Sequence, residues 1–182
     1  GGKIITELLA VHYTAKNDIN TVIFRPHNFF GPDMGMGHVI PQFIMRMKEL
    51  SNNFNIREID FPIQGTGEET RSFCYIKDAI EALLISAVYG KKGEIYNGGT
   101  NEEVSIKDLA LQIASLLGIK IRIKEGQLLS GGTNRRCPSL SKIEELGFRP
   151  KYSLRDGLVE TINWYIKSSN ISKASNIKGI IR

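Results

Sequence analysis

Apolar residues recur along the chain with two different periods, and segments of the two kinds alternate. A helical spacing of apolar residues runs through residues 3–17. The segment NTVIFRP (20–26) follows, with the apolar run VIF at its centre, and a short run of this kind is typical of a strand buried on both faces of a parallel sheet. This order of a helix followed by a buried strand continues downstream.

The same patterns predict the remaining elements. Helices are predicted to start just after Pro41, at residue 76 with Gly90 as C-cap, at Ser105 as N-cap with Gly118 as the stop, in 139–147, and after Ser153. Extended segments are predicted at 58–65, 71–76, 93–99 and 119–124. Alternating strands and helices favour an α/β fold over an all-α or all-β fold.

The segment FRPHNFFGPDMGMGHVIPQFI (24–44) contains far more turn-forming residues than a plain core strand needs. Arg25 and Pro26 end the apolar strand. Open α/β sheets bind their ligands at the carboxyl ends of the strands, so this turn-rich segment is a candidate ligand site.

Charge and composition narrow the function classes. The net charge is +5, but Lys167, Lys173, Lys178 and Arg182 carry most of it in a Ser/Asn-rich, acid-free tail, 167–182, which is predicted to be disordered. The remaining body is near neutral and has no broad basic face, which disfavours nucleic acid as a partner. No apolar run is long enough to span a bilayer, and the N-terminus lacks a signal-peptide pattern, which disfavours a membrane partner.

Cysteine and histidine usage disfavours a metal site. The two cysteines lie far apart in the sequence without CxxC spacing, which indicates a reducing, cytoplasmic setting. The three histidines lack the His-x-x-x-His spacing of many metal sites. The sequence also contains no Gly-x-Gly-x-x-Gly turn or P-loop, and GTGEET and GMGHVI lack the strand–turn–helix context of a phosphate-binding loop.

Five segments, in order, resemble the C-terminal half of the extended short-chain dehydrogenase/reductases known as NAD-dependent epimerase/dehydratase proteins, which act on nucleotide sugars. The segments are GKIITE, FRPHNFFGP, HVIPQFI, IQGTGEETRSFCYIKDAIEAL and RRCPSLSKIEELGFRPKYSLRDGLVETINWY. They span about residues 1–166, which we take as one substrate-binding region followed by the tail 167–182. The fold implied is the late part of a Rossmann-type parallel sheet plus a small α/β substrate lobe.

The resemblance implies NAD as cofactor and a nucleotide-diphosphate sugar as substrate, with transient oxidation at sugar C4. Lys3 matches the lysine of the family's Tyr-x-x-x-Lys motif, which holds the nicotinamide ribose and lowers the pKa of the tyrosine. The matching tyrosine would precede Gly1, and Gly2 stands where the family has serine. Pro26 and His27 match backbone that faces the nicotinamide.

On the substrate side, the resemblance assigns Asn28, His38 and Val39, Arg71 and Arg136 to the nucleotide and its diphosphate. Each residue also has an ordinary interpretation: Lys3 as a solvated lysine, Asn28 as a turn residue, His38 as a surface residue and each arginine as an exposed charge. Tyr75 and Asp78 are interpreted as structural. The family's Pro-Asp is Pro138-Ser139 here, so a contact made by that aspartate is in question.

Several alternatives stay open at this stage. The chain is expected to be the substrate-binding half of an enzyme with isomerase or lyase activity, and this half is expected to be inactive alone. The alternative is that the chain is a stand-alone, non-catalytic domain that binds sugar nucleotides or other partners. The base, the sugar, and the choice among epimerase, dehydratase and decarboxylase are undetermined. The family commonly forms homodimers through a helix pair of which only part is in this sequence, so the oligomeric state is also open.

Overall fold

The structure is a computed structural model that describes residues 2–17, 19–127 and 133–178. Six helices occur in this part of the chain: α1 (Gly2–Lys16), α2 (Val39–Leu50), α3 (Ile76–Tyr89), α4 (Ile106–Leu116), α5 (Ser141–Glu145) and α6 (Leu154–Lys178). The strands of the same part are β1 (Ile23–Pro26), β2 (Phe29–Phe30), β3 (Glu58–Ile63), β4 (Thr70–Ser72), β5 (Cys74–Tyr75), β6 (Ile95–Gly98), β7 (Glu103–Ser105), β8 (Lys120–Glu125) and β9 (Arg135–Arg136). This is an α/β fold, as predicted.

The chain divides into two compact units, each built from three separate stretches of sequence. The first unit comprises Gly1–Phe29, Ser72–Glu103 and Cys137–Tyr152, and the second comprises Phe30–Arg71, Val104–Arg136 and Ser153–Arg182. The predicted division at residue 166 is not tested by this grouping. Helix α6 extends to Lys178, whereas positions 179–182 of the predicted tail lie outside the described residues, and the disorder of the tail stays a prediction.

A parallel strand pair forms the centre of the first unit. Strands β1 and β6 pair in register from Ile23 opposite Ile95 to Pro26 opposite Gly98, and helix α3 lies between them in the sequence. Parallel neighbours need such a crossover connection. The unit's buried apolar cluster consists of Ala82, Tyr96, Leu140, Ile143 and Phe148.

The expectation that 20–26 is buried on both faces is wrong for the described part of the chain. Only Ile23 of β1 is buried, while Arg25 and Pro26 are exposed. Helix α1 behaves similarly: Thr14 is its one buried residue. Its large apolar side chains are all exposed: Ile4, Ile5, Leu8, Leu9, Val11 and Tyr13. The helix is therefore correctly predicted, but its apolar residues are not covered by the described residues.

The second unit contains a parallel pair and a small three-stranded sheet. Strand β3 pairs in parallel with β8, from Glu58 opposite Lys120 to Ile63 opposite Glu125. Strand β4 lies between β7 and β9. Helices α2, α4 and α6 pack against one another, and their inward residues include the fully buried Ile44, Leu109 and Leu158.

Helix boundaries follow local chemistry, with one departure from the sequence prediction. Ser105 caps α4 as predicted, and its hydroxyl accepts the Asp108 N–H at 2.9 Å. Helix α2 begins at Val39 rather than after Pro41, because proline is tolerated in the first turn, where its missing N–H is not needed. Gly90 is the C-cap of α3, as predicted; its φ is −65°, and a Cβ there would lie 2.2 Å from the Ser86 carbonyl oxygen.

Candidate functional site

In the first unit, predicted cofactor residues lie at the carboxyl ends of two parallel strands. Pro26 ends β1 opposite Gly98, the last residue of β6. The backbone N–H of His27 donates to the Gly98 carbonyl oxygen at 3.0 Å, which continues the ladder by one residue. His27 therefore directly follows β1 at the sheet edge where open α/β sheets bind ligands.

The imidazole of His27 takes part in a short series of hydrogen bonds that was not predicted from the sequence. His27 Nε2 lies 3.2 Å from Asn97 Oδ1, and Asn97 Nδ2 donates to the Ser139 carbonyl oxygen at 3.1 Å. The sequence predicts for Asn97 only a place in the extended segment 93–99. Its position in β6, opposite Arg25 in the register, could be known only once the parallel pairing was established.

Asn28 is held by hydrogen bonds to the end of β4 and the start of β5. Its backbone has φ 44°, a left-handed conformation that asparagine tolerates better than most residues. Its Nδ2 donates to the Ser72 carbonyl oxygen at 2.9 Å, and its own carbonyl oxygen accepts the Cys74 N–H at 3.2 Å. The side chain and the main-chain carbonyl of Asn28 thus join two separate stretches of the first unit, and the side chain does not bond its own backbone as the ordinary turn interpretation supposed.

Lys3 is exposed in the first turn of α1, one helical turn before Glu7. Glu7 receives two hydrogen bonds from Arg25, at 2.9 Å from Nε and 2.6 Å from Nη2. The hydrogen bond from Arg25 lowers the pKa of Glu7, and the same contact raises the pKa of Arg25. Both residues fall in the segments that carry the family resemblance, but no pattern in the sequence predicts that they pair.

In the second unit, the two predicted diphosphate arginines lie side by side. Strands β4 and β9 run parallel, with Arg71 opposite Arg136. Arg71 is half-buried, and its Nη1 donates to the carbonyl oxygens of Thr70 at 2.7 Å and Asn134 at 3.3 Å. Arg136 is exposed, and its Nη2 lies 3.5 Å from Thr133 Oγ1.

This pairing places two positive charges at neighbouring positions. Burial, followed by the charge of Arg136, lowers the pKa of Arg71, and the charge of Glu69 acts in the opposite direction. Arginine stays protonated in proteins, so both guanidinium groups remain cationic. An anion with several oxygens would reduce their repulsion, and a guanidinium binds such an anion through two parallel hydrogen bonds.

His38 and Val39 lie at the start of α2, also in the second unit. His38 is the N-cap in an extended conformation; its exposed side chain makes no capping hydrogen bond, and its carbonyl oxygen accepts the Gln42 N–H at 3.2 Å. Val39 is the first, half-buried helical residue, and the first turn contains no acidic residue. The free N–H groups of a first turn favour an anion, which is the role predicted for these residues.

Two residues that the sequence assigned to structure are buried. Tyr75 is 2% exposed, and Asp78 is 1% exposed. The Asp78 carboxylate accepts the backbone N–H groups of Lys151 and Tyr152. Within residues 2–17, 19–127 and 133–178, no group of three or more His, Cys, Asp or Glu side chains is arranged to hold a metal ion. No helix in the same ranges is long and apolar enough to cross a membrane.

A parallel strand pair joined through a helix, with candidate ligand residues where the strands end, defines a Rossmann-type α/β protein. The chain belongs to the NAD dependent epimerase/dehydratase family, whose model matches residues 2–99. The resemblance seen in the five segments is thereby confirmed as a family membership.

Three relatives illustrate the range of the family. The chain is 33% identical over 185 residues to the human dTDP-D-glucose 4,6-dehydratase, covering 94% of this chain and 50% of the relative. A dTDP-glucose 4,6-dehydratase from Streptomyces venezuelae, solved with NAD bound, superimposes with a TM-score of 0.74 at 26% identity, covering 90% of this chain and 49% of that one. A UDP-glucuronic acid 4-epimerase from Bacillus cereus, solved with UDP-glucuronic acid and NAD, superimposes with a TM-score of 0.77 at 25% identity. The match covers 89% of this chain and 50% of that one.

The chain spans about half the length of the relatives that it matches, 46–50% for the human and bovine dehydratases and the rice GDP-L-fucose synthase. Those relatives include dehydratases and synthases, and the solved structures add an epimerase. The relatives of this family therefore differ from one another in nucleotide, in sugar and in reaction type.

Proposed function

We propose that this chain is the substrate-binding half of an NAD-dependent nucleotide-sugar epimerase or dehydratase. The observation that carries the proposal is the register of β4 and β9, which sets Arg71 opposite Arg136. Two adjacent guanidinium groups match the two negative charges of a nucleotide diphosphate. The family membership supplies the substrate class, because the relatives named above act on dTDP- and UDP-sugars.

The residues of the first unit fit the nicotinamide end of NAD. Lys3 is an exposed cation suited to the ribose hydroxyls, and Pro26 and His27 lie at the carboxyl edge of β1 and β6. The pyrophosphate end needs a Gly-rich turn that this sequence does not contain. Bound NAD would supply a reversible hydride acceptor for the sugar carbon. In this proposal the chain's own residues orient the ribose and the ring.

The proposed role of the substrate-binding residues is to orient the nucleotide sugar. Arg71 and Arg136 bind the diphosphate. The first-turn N–H of Val39 donates to further anionic oxygens, beside the exposed side chain of His38. Asn28, whose amide is already tied to Ser72, offers its remaining amide atoms to the substrate. Binding of the part of the substrate that does not react is how such enzymes position the reacting carbon.

The isolated chain lacks two features that cofactor binding and catalysis need in this proposal. Neither the Gly-rich turn nor a tyrosine four residues before Lys3 is in the sequence, so we expect the 182-residue chain to bind NAD weakly and not to turn over. We also propose a cytoplasmic setting, which is supported by two cysteines that lie far apart in the sequence without CxxC spacing. A homodimer is proposed because members of the family commonly form homodimers. Analytical sedimentation of the purified chain tests this oligomeric state.

Calorimetry with UDP, dTDP, GDP and CDP, each titrated separately, tests the diphosphate site. We expect one nucleotide diphosphate to bind best. Substituting Arg71→Gln or Arg136→Gln should weaken that binding by about tenfold or more, since each removes a charge-assisted contact of about 1.5–3 kcal/mol. Raising the salt concentration should weaken binding to the wild type more than to either variant, because fewer charges are screened in the variants.

Arg57→Gln is the matched control, because Arg57 is an exposed arginine of the same unit that donates to the Gly118 carbonyl oxygen. It should leave affinity unchanged. If no nucleotide diphosphate binds, or if Arg71→Gln and Arg57→Gln behave alike, the diphosphate site is wrong. The enzyme assignment is tested separately by the coding sequence upstream of residue 1, where a Gly-rich strand–turn–helix and a tyrosine four before Lys3 are expected.

A further inference from the structure

The orientation of the Asn97 amide determines which nitrogen of His27 carries a proton. An amide nitrogen only donates hydrogen bonds and an amide oxygen only accepts them. The Ser139 carbonyl oxygen, 3.1 Å from Asn97 Nδ2, needs a donor and therefore fixes the amide with its nitrogen on that side. The opposite orientation would bring two carbonyl-type oxygens together.

With the amide fixed in this way, its oxygen faces the imidazole. Asn97 Oδ1 lies 3.2 Å from His27 Nε2, and because Oδ1 accepts, Nε2 must carry the hydrogen. In a neutral imidazole one nitrogen is a donor and the other is an acceptor. A neutral His27 therefore carries its proton on Nε2 and leaves a lone pair on Nδ1.

His27 is also restrained through its backbone and its surroundings. Its N–H donates to the Gly98 carbonyl oxygen at 3.0 Å. Gly99 follows directly, and a Cβ at Gly99 would lie 3.5 Å from His27 Cβ and 2.8 Å from Pro138 Cγ. Glycine thus lets the ends of β1 and β6 approach the segment that contains Pro138, so the backbone and the Cβ of His27 have a defined place.

We propose that Asn97 is a positioning residue that holds His27 in the Nε2–H tautomer, so that Nδ1 accepts a hydrogen bond from the carboxamide N–H of a nicotinamide ring. This deepens the function proposed above and rests on it for the identity of the ligand. A carboxamide offers two N–H donors, which matches an acceptor at the edge of the sheet where ligands bind. A protonated ring would present a donor instead, and would disfavour the positively charged oxidised nicotinamide.

Long-range proton–nitrogen NMR of the histidine rings, on the full chain at a pH of about 8, tests the tautomer directly, since each tautomer has a distinct nitrogen pattern. The chain has three histidines, and His27→Gln assigns the signals of His27 by difference. We expect a single Nε2–H tautomer for His27 and a mixture for the exposed His12. Asn97→Ala should convert His27 to a mixture like that of His12.

Ser139→Ala is the matched control, because the contact to Asn97 uses the main-chain carbonyl and survives the substitution. It should leave the tautomer as in the wild type. An Nδ1–H tautomer in the wild-type chain, or an Asn97→Ala chain that keeps the wild-type tautomer, overturns the positioning role. The wild-type measurement alone decides between the two tautomers if Asn97→Ala does not fold.

Adding NAD at millimolar concentration to the same samples tests the acceptor role. We expect the Nδ1 signal of His27 to move toward the position of a hydrogen-bonded acceptor, and Asn97→Ala to reduce that movement at least twofold. If the nicotinamide protons show binding while Nδ1 does not respond, the acceptor role is wrong and the proposed cofactor site stands. If NAD produces no change anywhere in the chain, the cofactor part of the proposed function fails, and the acceptor role fails with it.

Discussion

Glu7 and Arg25 form a two-point ion pair between helix α1 and strand β1, with contacts of 2.9 Å and 2.6 Å. The pair joins two of the segments that define the family resemblance. Lys3 lies one helical turn from Glu7, on the same side of α1. The pair therefore fixes the helix that carries the proposed ribose-binding lysine against the end of the strand that carries Pro26.

Glu7→Gln is expected to remove the pH dependence of this contact. The pKa of Glu7 in the folded chain is lowered from its usual value of 4.5 by the hydrogen bond from Arg25. The stabilisation is then fully present above about pH 4.5 and is lost as the pH falls through the folded-state pKa. Amide chemical shifts of α1, followed as the pH is lowered from about 4.5, should change in the wild type and stay nearly flat in the variant.

Glu49→Gln provides the comparison for that titration, because Glu49 is an exposed carboxylate of α2 in the other unit. The α1 shifts of this variant should follow those of the wild type. A wild-type titration of α1 that persists in Glu7→Gln would show that another group, and not the pair with Arg25, controls the helix.

Asp78→Asn is expected to lower the free energy of unfolding by about 1–3 kcal/mol, because a buried amide nitrogen would replace an oxygen that accepts main-chain N–H groups. The carboxylate oxygens lie 3.1 Å from the Lys151 nitrogen and 3.0 Å from the Tyr152 nitrogen. Urea unfolding followed by circular dichroism measures the change. Glu81→Gln, which removes only the exposed ion pair with Lys151 Nζ, should cost clearly less. Equal effects of the two substitutions would contradict the role assigned to Asp78.

The two cysteines should differ strongly in reactivity. Burial, followed by the nearby charge of Asp78, raises the pKa of the Cys74 thiol to about 12, so about one thiol in ten thousand is ionised at pH 8. Cys137 is half-buried. Ellman's reagent should label one thiol rapidly in the native chain and the second only after unfolding in guanidinium. Cys137→Ser should remove the rapid phase and Cys74→Ser should retain it; the reverse result would place the reactive thiol at Cys74.

Ser105→Ala should destabilise the chain by about 0.5–2 kcal/mol through loss of the N-cap of α4. The Ser105 hydroxyl accepts the Asp108 N–H at 2.9 Å and lies 2.8 Å from Asp108 Oδ2. Thermal and urea unfolding should both report the loss. Ser115→Ala, on the exposed side of the same helix, should be neutral or slightly stabilising, because alanine has the higher helix propensity. A neutral Ser105→Ala would show that the cap contributes nothing.

Helix α4 shows which features can be predicted from the sequence. Its apolar period, its serine cap and the glycine that follows it all lie within one short stretch, so local rules suffice. The segment 71–76 shows where local rules fail. It reads as one strand, but the structure has β4 ending at Ser72 and β5 beginning at Cys74. Asn28 bonds the backbone of both residues, and that contact joins positions far apart in the sequence.

In the candidate site, too, some features could be predicted from the sequence and others required the structure. The five family segments identified Arg71 and Arg136 as partners in function, but only the parallel register of β4 and β9 puts them opposite each other. The pairs Glu7–Arg25 and His27–Asn97 were not foreseen, because the residues of each pair belong to different elements. The exposed apolar side chains of α1 were also not foreseen, since periodicity predicts a helix and not what covers it.

The interleaving of the two units has a consequence for how the chain is made. The last stretch of the first unit, Cys137–Tyr152, emerges from the ribosome after most of the second unit has been synthesised. The second unit in turn needs Ser153 onward. Neither unit can therefore complete its fold before most of the chain has been synthesised. Both units also depend on contacts between residues far apart in the sequence, and such contacts form slowly. A premature stop before residue 137 would leave two incomplete cores rather than one finished domain.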